Sequence, residues 1–154
     1  MAEENWQENL KGVFDELAAI EKRKKETLAD FGHFYEFIAE PAFESLAQEL
    51  RSYRIKAKHD RTKGRSIHFQ LNFPGSRIDS FHYELVLPRN SVELRLNLKI
   101  RGRKTPSAVL EEKGMPFLPD VLPGAVLKMS KETLILDIIR LYADFMREAR
   151  TSPA

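Results

Sequence analysis

From Tyr53 to Arg101, apolar residues recur at every second position in four stretches, and no other feature restricts the fold as tightly. Tyr53, Ile55 and Ala57 form the first stretch, and Ile67, Phe69, Leu71 and Phe73 the second. Phe81, Tyr83, Leu85 and Leu87 form the third, followed by Val92, Leu94, Leu96, Leu98 and Ile100. The segments "DRTKG", "PGSRID" and "PRNS" supply turn residues between them. The predicted unit is a four-stranded antiparallel meander over residues 53–101, with one dry and one wet face. A two-residue turn at Arg89 and Asn90 sets Leu85 opposite Leu94, and Glu84 opposite Arg95 as a cross-strand ion pair. Across the preceding turn, Phe73 facing Phe81 puts Asn72 opposite His82 and His68 opposite Val86, which keeps the two histidines apart.

Helical spacing flanks the meander. Trp6, Leu10, Val13, Leu17 and Ile20, then Leu28, Phe31, Phe34 and Ile38, mark a long N-terminal helix within residues 1–38. Glu3, Glu4 and Glu8 suit its positive end. In strict heptads, positions 10, 17, 24, 31 and 38 alternate with 13, 20, 27 and 34, and Lys24 and Thr27 interrupt an otherwise apolar seam. Such a helix is roughly 50 Å long, against about 30 Å for a nine-residue strand. Either its N-terminal half overhangs and pairs with another chain, or it breaks near Asp30 to Gly32 and folds back.

A second helix over 41–52 starts at Pro41 and buries Phe43, Leu46, Ala47 and Leu50. Ser130 caps a C-terminal helix over 131–149, with an apolar stripe from Leu134 to Met146 and the pairs Asp137/Arg140 and Asp144/Arg147 on its opposite face. Residues 102–129 read as a proline- and glycine-rich arm, with a short helix from Thr105 to Leu110 and a short edge strand at 125–129. Its apolar residues Met115, Phe117, Leu118 and Leu122 serve either as a partner arm or as a cap on the core. The fold class is α+β, one domain over 1–154, a four-stranded antiparallel meander covered on one face by the N-terminal helical segment and the C-terminal helix.

Composition excludes several functions. The chain of 154 residues has 42% hydrophobic and 31% charged residues, which suits a globular protein. It lacks cysteine, so disulfides, thiolate catalysis and Cys-based zinc sites are ruled out. No apolar run approaches the roughly 20 residues that span a bilayer, so a cytoplasmic protein with no membrane partner is expected. The net charge of +2 is far from the field of a dedicated nucleic-acid binder. The run "EKRKKE" compensates itself through Glu21–Lys25 and Lys22–Glu26 and reads as a solvated helix face.

Positive charge gathers instead on the wet face of the meander. Lys56, Lys58, Arg95, Lys99 and Arg101 are the candidate anion-binding set. Tyr53, Phe69, Phe73, Phe81 and Tyr83 all fall on the dry phase, which leaves no aromatic for a base to stack on. The four histidines show no ligand spacing, so no metal or cofactor is expected. Asp79 with Glu93 and Arg95 is the closest approach to a magnesium-dependent nuclease, and Arg95 is better explained by Glu84. No catalytic residue is assigned, and an enzyme is not expected. The leading function is a non-catalytic interaction or scaffold domain, a homodimer through Leu10, Val13, Leu17 and Ile20. Anion or nucleic-acid-backbone binding on the basic face is the alternative.

Overall fold

The computed structural model describes residues 5–62 and 64–152. Glu3, Glu4 and the turn residue Lys63 lie outside that range. The elements are helices α1 (Trp6–Phe34) and α2 (Glu40–Leu50), strands β1 (Ala57–Thr62), β2 (Ser66–Asn72), β3 (Asp79–Val86), β4 (Asn97–Gly102) and β5 (Glu111–Pro116), and helix α3 (Lys131–Thr151). The fold is α+β, and the antiparallel sheet has five strands in sequence order rather than four.

The Asn5 side chain starts α1 by accepting from the backbone N–H groups of Gln7 and Glu8 at 3.1 and 3.3 Å. The chain does not break near Asp30 to Gly32. It passes from α1 through a π turn, Tyr35–Ala39, straight into α2. Proline inside a regular helix loses a hydrogen bond and meets the carbonyl four residues back. The wider turn ends just before Glu40 and Pro41, so the proline falls in the first turn of α2. The 3-10 turn Arg51–Tyr53 closes the helical run, and it leaves Tyr53 exposed rather than on the dry face of a strand.

Helices cover one sheet face. Phe43 stacks on Phe69 at 4.8 Å, while Tyr142 and Phe145 of α3 lie against Phe81. Phe31, Phe34, Ile67, Leu71, Tyr83, Leu85, Leu134 and Ile138 complete the fully buried core. Gly102 lets α3 approach β4, since a Cβ there would lie 2.3 Å from Phe145 Cζ. Ser130 caps α3 through the N–H of Thr133. Asp137 does not face water: it is buried, and accepts from the Tyr83 hydroxyl at 2.6 Å and from Arg140 at 2.8 Å.

The strand phase is as expected, but two registers differ. Leu85 faces Leu98 and Glu84 faces Lys99, four residues beyond the expected partners. No tight hairpin forms at Arg89 and Asn90: residues 87–96 make a longer excursion that still buries Leu87, Leu94 and Leu96. Arg95 therefore pairs with Glu93 at 3.0 Å, not with Glu84. Between β2 and β3 the shift is two residues, so Gln70 faces His82 and His68 faces Glu84. Even-numbered shifts keep every side chain on its face and change only its neighbours.

The arm is more ordered than its composition suggests. "EEKGMP" forms β5 at the sheet edge, where its backbone pairs with β4 although its side chains show no apolar alternation. No helix forms between Thr105 and Leu110, and residues Pro123–Lys128 form a 3-10 turn instead of a strand.

Candidate functional site

The N-terminal part of α1 is the largest feature that the fold leaves uncovered. Every residue from Asn5 to Ala19 is exposed, and Thr27 is the first buried position. Leu10, Val13 and Leu17 are 48%, 47% and 49% exposed. Trp6 and Phe14 are more exposed still, and Ile20 is half-buried. Positions 6, 10, 13, 17 and 20 follow three- and four-residue steps and so share one helix face. Apart from its chain neighbours and the helix's own backbone, nothing lies within 4 Å of where a Gly12 Cβ would be, so the helix carries an unsupported glycine in this stretch.

The basic run follows on the same helix. Lys24 pairs with Glu21 at 2.9 Å, three residues back, in place of the four-residue pairs expected from the sequence. The Thr27 hydroxyl donates to the Arg23 carbonyl at 2.8 Å, which explains how a polar residue sits at the seam where the helix enters the core.

The polar face of the sheet contains a connected chain of side chains that the sequence did not reveal. Arg103 donates to Asp79 Oδ1 at 3.3 Å, and Asp79 Oδ2 lies 2.5 Å from His82 Nε2. His82 Nδ1 lies 2.7 Å from His68 Nε2, and the two rings stack at 4.9 Å. The two-residue register shift creates this contact, since His68 is diagonal to His82 across β2 and β3. An ionised Asp79 takes the His82 Nε2 proton as its donor, so His82 Nδ1 accepts from His68 Nε2–H. His68 Nδ1 is then the chain's basic end, 3.7 Å from Asp60.

Burial lowers the His68 pKa, and His82 and Arg101 push the same way against Asp60 and Glu84. Burial pushes Asp79 up, but the bonds from His82 and its own backbone, together with Arg103, leave it below the usual carboxylate range. Both groups therefore bind protons more readily in the unfolded chain. Their stabilisation is present above the unfolded values and is lost as pH falls, from 6.5 downward for His68 and from 3.8 downward for Asp79. In urea titrations, the unfolding midpoint is expected to drop as pH is lowered through the histidine range. His68→Gln keeps a donor for His82 and should flatten that drop, whereas an equally steep fall in the variant would remove His68 as its cause.

The candidate anion-binding residues are scattered on this face. Lys58 on β1 and Lys99 and Arg101 on β4 point to the polar side, with β2 and β3 between them. Lys99 is held by Glu112 at 3.3 Å, and Arg95 lies off the sheet, paired with Glu93. Lys56 precedes β1 and is exposed. Arg101 Nε is buried without a hydrogen-bond partner.

In the arm, Phe117 is buried edge-on against Phe34, Met115 and Leu118 are partly buried, and Leu122 is 72% exposed. The nuclease-like set is not assembled as a carboxylate cluster: Asp79 is engaged by His82 and Arg103, and Glu93 by Arg95. The fold does bring Glu40 and Glu44 of α2 to His59 of β1, with one ligand atom from each within 4.8 Å of the others. These residues could hold a divalent cation by chemical type. Spacing along the chain gives no hint of it, because the imidazole arrives from another element.

Among the described residues no helix is long and apolar enough to cross a membrane. Set against known protein families, curated proteins and solved structures, the chain has no match.

Proposed function

We propose that the protein is a non-catalytic interaction module of the cytoplasm that self-associates as a homodimer through Leu10, Val13, Leu17 and Ile20 of α1. One observation carries this reading: about four turns of helix, from Trp6 to Ala19, are exposed throughout and carry an apolar stripe in water. Isolated helices of this length are marginal, because tertiary packing supplies most helical stability. Gly12 weakens such a helix further, by about 1 kcal/mol relative to alanine. A contiguous exposed apolar stripe rimmed by charge is what an interaction surface presents.

The polar sheet face supports anion binding less well. Two of the five candidate basic residues are already engaged by glutamates, Arg95 off the sheet and Lys99 on it, and Lys58 is separated from Lys99 and Arg101 by two strands.

Light scattering tests the proposal. The full chain is expected at twice its mass of 17.8 kDa, and a version starting at Thr27 at the mass of one folded copy. Added single-stranded nucleic acid at low salt should leave both masses unchanged. A full-length monomer at tens of micromolar would overturn self-association.

A further inference from the structure

The exposed part of α1 is divided by charge. Residues 6–21 hold Glu8, Asp15, Glu16 and Glu21 against Lys11, a net of −3 from four acids and one base. Residues 22–26 hold Lys22, Arg23, Lys24 and Lys25 against Glu26, a net of +3 from four bases and one acid. A parallel pair would stack each block on its like. An antiparallel pair can bring the start of the basic block, Lys22, beside Glu8 near the acidic end of the other copy, while the middle of the segment faces itself. It also opposes the two helix dipoles.

The seam gives the same answer. In antiparallel coiled coils the two kinds of seam position face each other. Pairing residues whose numbers sum to 30 sets Leu10 against Ile20 of the second copy, and Val13 against Leu17. The same register sets Trp6 against Lys24, so the charged seam residue meets an aromatic face rather than another lysine. A parallel pair puts Lys24 on Lys24. The overlap runs from 6 to 24, just short of Thr27, where the chain becomes buried. This register uses the whole exposed stretch up to Ala19 together with the partly covered Ile20 and Lys24.

We propose that two copies pair antiparallel along α1 in this register, with the two globular bodies at opposite ends of the shared helical segment. This rests on the self-association reading above and adds the orientation and register to it.

The chain has no cysteine, so a single Glu26→Cys substitution carries one spin label per copy at an exposed position outside the seam. In the antiparallel register the two labelled positions are 22 residues apart along the axis, about 33 Å at 1.5 Å per residue. In a parallel pair they are separated by little more than the interhelical distance of about 8–10 Å plus the label arms. Pulsed dipolar spectroscopy on the full-length protein, with its mass measured in parallel, separates the outcomes. A dimer with a distance near 33 Å is the expected result. A dimer with a distance below about 20 Å would overturn the orientation and leave self-association standing. A dimer with a distance of about 22 or about 44 Å would overturn this register by one heptad, and a dimer with any other distance would place the contact outside α1 and overturn both proposals. A monomer would also overturn both.

A disulfide test reads the register without the label. Val13→Cys and Leu17→Cys proteins should each fail to cross-link alone and should cross-link when mixed and exchanged. Cross-linking of either variant by itself would overturn the antiparallel pairing.

Discussion

Replacing Leu10 and Leu17 together by aspartate is expected to turn the proposed dimer into a monomer throughout the micromolar range. Each buried leucine is worth about 1.5–3 kcal/mol. The double substitution removes two from each copy, a loss on the order of 6–12 kcal/mol per dimer before any charge is counted. A micromolar dimer is held by only about 8 kcal/mol, so the loss is large enough to abolish it. Without a partner, α1 should also fray back toward Thr27, and the far-ultraviolet helix signal should fall. The thermal transition of the body should persist, because Phe31 and Phe34 seat the rest of α1 in the core. Sedimentation and circular dichroism on the same sample check all three outcomes. An unchanged mass would show that this stripe does not hold the copies together.

The second large effect is expected at Asp137, whose carboxylate joins α3 to β3 beneath the helical layer. Its side chain is 4% exposed and it accepts from Tyr83 and Arg140. Asp137→Ala strands the Tyr83 hydroxyl in the core. The cost is about 3 kcal/mol, the upper end for an orphaned buried hydroxyl, since Arg140 is 60% exposed and stays in water. For a chain of this size that lowers the melting temperature by roughly 6–12 °C. Tyr83→Phe should cost less, and in its background Asp137→Ala should cost less than it does alone. Strict additivity in that double-mutant cycle would deny the coupling.

The same pair sets an alkaline limit. Burial, then the charge and hydrogen bond of Asp137, push the Tyr83 pKa well above 10.0. Burial and a bond to Glu40 raise Tyr35 to about 12. The unfolded chain therefore loses these protons first, and stability falls as pH rises above the ordinary tyrosine value.

Period-two alternation was sufficient to give the face of nearly every strand residue. It could not give register, because shifts of two and four residues preserve the alternation. Leu85 packs equally well in phase against Leu94 or Leu98, and the choice fell to a connection longer than the turn signal at Asn90 implied. The His68–His82 contact was lost to the same ambiguity. Tyr53 was assigned to a strand because its spacing fits one, although the helical run continues through it. β5 carries almost no signal of its own: a strand at a sheet edge is held by backbone bonds to one neighbour, and its side chains are free to be charged. Helical spacing gives the Asp137–Arg140 pair correctly, but it cannot reveal that Asp137 is buried against a tyrosine from another element. The stripe on α1 was legible because the fold leaves it uncovered as far as Ala19, so most of its residues needed no knowledge of tertiary neighbours.

The character of β5 also bears on how such a chain avoids unwanted growth. Its rim is Glu111, Glu112 and Lys113, with Gly114 and Pro116 beyond, and the opposite rim on β1 bears Lys58, Asp60 and Arg61. An incoming strand would have to bring backbone up against charge on either side, and Pro116 has no N–H to offer it. The sheet is thus a poor template for recruiting further strands. The proposed pairing through a helix of finite length would bring copies together at high concentration without opening a route to fibrils.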